Sequence, residues 1–374
     1  MRNPLKNTTM PHDLVPAATP RPLTRAGLDA FPALFADAGE PAVRRLAEFF
    51  TAEIRNKNTR AAYAKAVSRF SAWCQGKSYA LAKLTPVEIA AYVEELGRSQ
   101  EEGGAGLSKP SVKQHLAAIR MLFDYLVTGQ VIASNPATSV RGPKYVVRKG
   151  KTVVLQGQEA QALFAAIEAD ITRKQAYNAK AAAQGRRHRR PITGELRDRA
   201  LLALMVYSFA RVGAAVGMNV EDYCQGPGRT MLFRLHEKGG KHHEVPAHHQ
   251  AEAYLDAYLH EPGIAEQRKA PLFRALTRSG QLTPKRLDRR DVWAMIKRRA
   301  KAAGLPGRCT AHSFRATGIT VYLSNGGTLE HAQAIAAHAS PRTTKLYDRT
   351  DDQVTLDEIN RIDLTKPPLR PVVR

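Results

Sequence analysis

Between about Glu40 and Thr128, apolar side chains recur every three or four residues, in AVRRLAEFFTAEIR, TRAAYAKAVSRFSAWCQ, PVEIAAYVEELGR and SVKQHLAAIRMLFDYLV. That spacing gathers them into one stripe of an α-helix and excludes the period-two alternation of a half-buried strand. Four such segments predict a compact all-helical domain. Their starts are marked. Thr59 and Thr85 are N-cap candidates, Pro86 falls at a first helical position, and Ser111 follows Pro110. Gly103, Gly104 and Gly106 crowd into one loop between the third and fourth segments.

The periodicity stops in NPATSVRGPKYVVRKGKT, from Asn135 to Thr152, where two prolines, two glycines and a cluster of lysine and arginine read as a basic interdomain linker. Beyond it, LQGQEAQALFAAIEADI predicts a helix, NAKAAAQGRRHRRP a basic loop or an extension of that helix, and ELRDRALLALMVYSFA a buried helix that delivers Arg211 at its end. From Thr230 to Val245 the pattern alternates around Gly239-Gly240, the signature of a β-hairpin. Helical spacing resumes over His249 to His260, Arg289 to Ala303, Ser313 to Ser324 and Thr328 to Ala337. The predicted fold class is mainly α with a small β-sheet: an all-helical N-terminal domain and an α+β second domain. Residues 1–38, rich in proline and poor in periodic apolar residues, read as a mobile arm.

A chain of 374 residues has room for two cores. Its formal net charge of +23 points to a polyanionic partner, because a field of that size favours nucleic acid or an acidic membrane surface. The apolar run from Ala200 to Phe209 is too short to span a bilayer, and the N-terminus has no apolar stretch with a cleavage site. No membrane partner and a cytoplasmic, nucleoid-associated location are expected. Cys74, Cys224 and Cys309 are spaced too widely for a disulfide framework or a zinc pattern, and read as thiols in a reducing compartment.

The last quarter carries the chemistry. His312-Ser-Phe-Arg315 is followed by His338 in AIAAHAS and by Tyr347 in TTKLYDRT, and upstream lie Arg211 in YSFARVGAAVG and Lys238 and Lys241 in HEKGGKHHEV. A phenol with a pKa near 10 attacks phosphate only where cations and hydrogen-bond donors stabilise the charge developing on the phosphoryl oxygens. Two guanidinium groups can each present a planar fork to a phosphodiester, and losing one such donor costs on the order of 10²–10³ in rate. The order Arg, Lys, His-x-x-Arg, His, Tyr, with nine residues from His338 to Tyr347, resembles the tyrosine recombinase (phage integrase) family from roughly residue 45 to 362.

That resemblance implies a helical, SAM-like core-binding domain over residues 39–132, a linker over 133–152, a catalytic domain over 153–350 and a C-terminal helix and tail over 351–374 that docks on a neighbouring protomer or on its own domain. It implies that Tyr347 attacks the scissile phosphate, leaving a 3′-phosphotyrosyl link and a free 5′-hydroxyl. Arg211 and Arg315 would hold the phosphate. Lys238, with Lys241 as the alternative, would protonate the departing oxygen. His312 would accept the tyrosine proton or hold a phosphate oxygen, and His338 would donate to the phosphate unless it is a buried structural histidine. No cofactor and no metal are expected. The partners implied are double-stranded DNA with paired half-sites and a homotetramer on that DNA, with accessory DNA-bending proteins as a further option. Arg60, Lys65, Arg69, Lys113, Arg120, Lys144, Arg148, Lys149, Lys151, Arg186 and Arg187 are candidate phosphate contacts, or else solvated basic faces.

One position departs from the family pattern. The acidic residue usually found three places after the first arginine is Ala214 here, so a carboxylate near Arg211 is missing or comes from elsewhere, with Glu221 or Asp222 as candidates. The histidines His236, His242, His243, His248 and His249 are read as faces of the hairpin and the turn after it rather than as metal ligands. Tyr322, mid-helix in GITVYLSN, is expected in the core. The leading function is a site-specific DNA recombinase; the alternatives are a type IB topoisomerase-like enzyme and a DNA-binding factor whose active site has decayed.

Overall fold

The computed structural model describes residues 31–146, 150, 152–186, 190–237, 242–305 and 307–348. Internal contacts divide the chain into two units, Met1–Val146 and Val147–Arg374.

In the first unit the four helical segments are α1 (Glu40–Glu48, continuing as a wider turn through Phe49–Glu53), α2 (Lys57–Gly76), α3 (Pro86–Gly97) and α4 (Lys109–Thr128). Thr85 caps α3 in a full capping box: its side chain accepts from the Val87 amide, while Glu88 accepts from the Thr85 amide at 2.7 Å. The other two starts differ from expectation. Asn56 caps α2, its carbonyl oxygen accepting from the Asn58 and Thr59 amides, so Thr59 lies inside the first turn. Ser108 precedes α4, with Pro110 in the first turn where its missing amide costs nothing. The apolar stripes meet around Phe70, whose ring is edge-on to Tyr92 at 5.0 Å and to Phe123 at 5.9 Å.

Residues on both margins of this domain join its core. A single helical turn at Ala33–Ala36 buries Leu34 and Phe35, which corrects the expectation of an arm reaching to residue 38. On the other side Ala137 and Val140, within the expected linker, are buried, and Arg120 donates to both of their carbonyl oxygens.

The second unit starts with α5 (Gly157–Ala183), which takes the helix-extension option through Ala183. Asn178 then ties the returning chain by bonding both the amide and the carbonyl of Arg190. The central helix α6 (Thr193–Tyr207) is buried from Leu196 through Met205, packed by α8 (His249–His260) and α10 (Ala311–Ser324). Its polar end is held by ions: Arg299 of α9 (Arg289–Ala302) reaches Asp198 at 2.9 Å, Asp170 at 3.0 Å and Glu195 at 3.2 Å, tying α9 to α5 and α6. Asp198 is fully buried, which is tolerable because Arg197 and Arg298 also pair with it.

The expected hairpin is β2 (Met231–His236) against β3 (His242–Pro246), with Phe233 opposite Val245 and Arg234 opposite Glu244. Phe233, Leu235 and Val245 face the core, while Arg234 and Glu244 form an exposed ion pair at 2.8 Å. A third antiparallel strand, β1 (Tyr223–Gln225), adds to β2. A separate two-stranded pair, β4 (Arg274–Leu276) with β5 (Leu282–Arg286), went unanticipated because its strands are short and charged. Three small helices adjoin site residues: α7 (Val212–Gly217), α11 (Leu329–Ile335) and α12 (Pro341–Lys345). Among the described residues no helix is long and apolar enough to cross a membrane.

Candidate active site

Arg315 organises the site. It projects from α10, is 1% exposed, and donates one terminal nitrogen to the Phe209 carbonyl and the other to the Ala336 carbonyl at 2.6 Å. Those two carbonyls belong to the two loops that carry the neighbouring site residues: Phe209 lies two residues before Arg211, and Ala336 two before His338. Both loops pass through the left-handed region at a non-glycine residue, Phe209 at φ 52° and Ala337 at φ 47°. Such positions cost on the order of 1–3 kcal/mol each and persist only where the surroundings over-determine them. Here the Arg315 donors and a small apolar cluster of Phe209, Ile319, Ala332 and Ala336 do so, with Tyr322 and Tyr347 packed against it.

The close approach of α10 to this corner requires Gly318. A Cβ there would overlap the Val206 carbonyl oxygen and crowd the Phe209 ring. Burial pushes the Arg315 pKa down to about 10, helped by Arg211, while the nearby Glu237 carboxylate favours the charged form. Arg315 therefore stays a cation at neutral pH.

Arg211 stands at the N-cap of α7 with its side chain 37% exposed. It pairs with Glu237 at 2.5 Å, and the Glu237 side chain is 3% exposed. Glu237 closes β2 and immediately precedes Lys238. This is the carboxylate that the sequence left unassigned. Asp222 is engaged elsewhere, accepting from the Asn219 amide at 2.7 Å and facing His236 at 3.2 Å. The signal that could have found Glu237 was its position in HEKGGK, one residue before a candidate catalytic lysine. Lys238 and Lys241 lie outside the described residues.

His312 lies one turn before Arg315 on α10, and desolvation, then Arg315 and Arg211, lower its pKa. His338 is 7% exposed. Its Nδ1 is 2.8 Å from the Thr344 hydroxyl, and its ring stacks on Tyr347 with centroids 5.9 Å apart and planes 8° from parallel. Burial, then Arg315 and Arg211, push its pKa down to about 4, so the ring is neutral at pH 7.

Tyr347 follows α12 and is half-buried. Its amide donates to Thr344, and its carbonyl accepts from the Thr320 hydroxyl of α10 at 2.9 Å. One residue before it, the Leu346 carbonyl accepts from the Gly150 amide at 3.1 Å, a contact so close that a Cβ on Gly150 would meet that oxygen at 2.6 Å. The structure thus brings Arg211, His312, Arg315, His338 and Tyr347 to one corner of the second unit.

The candidate phosphate contacts separate by what already occupies them. Lys65, Lys113, Lys144 and Arg186 are exposed and Arg69 is half-buried. Arg60 and Arg120 are engaged by backbone: Arg60 donates twice to the Ile54 carbonyl, at 3.0 and 2.8 Å, and Arg120 to Ala137 and Val140. Arg148, Lys149, Lys151 and Arg187 lie outside the described residues. Of the histidines, His236 faces Asp222, His242 meets the His236 ring edge-on, His243 reaches the Ile335 carbonyl at 3.2 Å, and His248 caps α8 beside His249. Among the described residues no group of three or more His, Cys, Asp or Glu side chains is placed to hold a metal ion.

The phage integrase family model matches residues 155–354, and the model of the phage integrase N-terminal SAM-like domain matches residues 43–132. The tyrosine recombinase XerD of Mycobacterium leprae is 28% identical over 298 residues, 78% of this chain and 86% of that protein. The XerH site-specific recombinase bound to its difH substrate, in a pre-cleavage complex, superposes with a TM-score of 0.59 at 16% identity, over 88% of this chain and 96% of that one. A lambda integrase tetramer bound to a Holliday junction gives a TM-score of 0.58 at 18% identity, over 84% and 79%.

Proposed function

Because the chain belongs to the phage integrase family, whose members cleave and rejoin DNA, we propose that it is a site-specific recombinase with Tyr347 as its nucleophile. The observation that carries this reading is the convergence of Arg211, Arg315, His312 and His338 around that tyrosine, two of them through carbonyls that Arg315 itself clamps. The domain assignment that goes with it is the SAM-like core-binding domain over 39–132, the linker over 133–152, the catalytic domain over 153–350 and a C-terminal helix and tail over 351–374.

In the reaction the Tyr347 phenol oxygen forms a bond to phosphorus as the bond to the 5′-oxygen breaks. The phenol proton passes to His312, whose lowered pKa leaves it neutral and able to accept. Lys238, or Lys241, gives a proton to the departing 5′-oxygen. Arg211 and Arg315 neutralise the equatorial oxygens of the pentacovalent transition state. In the Nε2–H tautomer, the neutral His338 ring accepts the Thr344 hydroxyl at Nδ1 and offers its own proton to the phosphate. A 5′-hydroxyl from a partner duplex then attacks the phosphotyrosyl link and releases Tyr347, conserving the bond energy through both steps.

The substrate proposed is double-stranded DNA with paired half-sites, bound by a homotetramer, in the cytoplasm on the nucleoid. The alternative of a decayed DNA-binding factor rested on Ala214, and the Glu237 carboxylate on Arg211 weakens that support.

The test mixes purified protein with nicked duplexes drawn from DNA flanking its own gene. An SDS-resistant adduct is expected with wild type and absent with Tyr347→Phe. Tight, salt-sensitive binding without an adduct would favour the binding factor, and an adduct surviving in Tyr347→Phe would mean that another residue is the nucleophile.

A further inference from the structure

We propose that Glu237 is a positioning residue for the cleavage reaction: its carboxylate, just past the end of β2, sets the direction of the Arg211 guanidinium. The proposal rests on the reading of Arg211 as a phosphate ligand. Arg211 is the more exposed of the two arginines, and among the described residues no pair of carbonyls clamps it as one clamps Arg315. A long side chain at the mouth of a site loses several rotamers' worth of freedom when it must meet a phosphate, so a preset direction lowers the barrier.

No carboxylate is available from the α7 backbone turn that follows Arg211, where the residue one turn on is Ala214, itself 4% exposed. Glu237 supplies one from across the fold, at 2.5 Å from Arg211 Nη1. A surface ion pair would carry little weight, but this carboxylate is buried, and a buried carboxylate is retained only where a cation compensates it. Its second oxygen, Oε1, is also buried and has no hydrogen-bond partner among the described residues. One oxygen is therefore committed to Arg211.

The electrostatics agree with the geometry. Glu237 also favours the charged form of Arg315, so one negative charge offsets two cations that would otherwise repel each other before a phosphate arrives.

Glu237→Gln tests this, because it keeps shape and hydrogen-bonding capacity and removes only the charge. The probe is the nicked duplex on which wild type forms its Tyr347 adduct, made once with an ordinary scissile phosphate and once with a methylphosphonate there. The methyl group removes the charge that Arg211 is proposed to neutralise. On the phosphodiester, Glu237→Gln should form the adduct about 10–100-fold more slowly, the range typical of losing a residue that orients a ligand-contacting group, with unchanged DNA affinity and melting temperature. On the methylphosphonate the two proteins should react at nearly equal rates.

Equal or faster cleavage of the phosphodiester by Glu237→Gln would overturn the proposal, since the carboxylate would then be idle or would be occupying Arg211 as a stand-in for phosphate. An equally wide gap on both probes would overturn it too, because the lesion would not run through Arg211. Failure of the underlying phosphotransfer reading looks different: wild type itself then forms no adduct on either probe.

Discussion

At the scale of single residues, the site pairs two arginine cations with two histidines that burial and those arginines keep neutral. His338 gives a measurable consequence. Its folded pKa of about 4 lies below its ordinary value of 6.5, so below pH 6.5 the unfolded chain takes up a proton that the folded protein refuses. Stability is then fully present above 6.5 and is lost as pH falls towards 4, by about 2 kcal/mol at pH 5 from this group alone. Calorimetry between about pH 7 and pH 5 should show wild type losing melting temperature more steeply than His338→Gln; parallel slopes would mean that the fold does not hold this ring neutral. The order of Arg211, His312, Arg315, His338 and Tyr347 along the chain was enough to nominate them. Glu237 was not legible in that way, because spacing within a motif points along the chain and this carboxylate arrives from a strand tip 26 residues away.

At the scale of elements, periodicity predicted most helices and the β2–β3 hairpin, whose inward Phe233, Leu235 and Val245 alternate with outward Arg234 and Glu244. It missed β4 and β5, since a three-residue strand offers too few positions for a period to emerge. It also placed the start of α2 late, where Asn56 outcompeted Thr59 as the cap. What pattern could not show is how closely α10 approaches the end of α6. Gly318 makes that contact possible, so Gly318→Ala should cost about 1–3 kcal/mol through overpacking and shift the Phe209 loop that Arg315 holds. Urea unfolding should record the loss of stability. Adduct formation should fall further than stability alone explains, and a variant with wild-type stability and cleavage would show that the contact relaxes at no cost.

At the scale of the whole molecule, a net charge of +23 makes DNA binding steeply salt-dependent, and the exposed cations should report on it one by one. Lys65→Ala and Lys144→Ala should each flatten the slope of log affinity against log salt by about 0.9 if each meets a phosphate. Arg120→Ala should leave that slope nearly unchanged and lower the melting temperature instead, because its donors hold the Ala137 and Val140 carbonyls. A slope change with Arg120→Ala equal to that with Lys65→Ala would put its guanidinium on DNA after all. The sequence by itself determined the fold class, the presence of two cores and the residue types nominated for the site, because periodicity, charge and residue type are properties a chain carries before it folds. Only the tertiary structure decided which of the described cations are exposed and which are spent on backbone, which carboxylate meets Arg211, and that Arg315 fastens both strained loops of the site. Those are contacts between residues distant in sequence, and nothing in the local pattern records which side chain a buried charge will find.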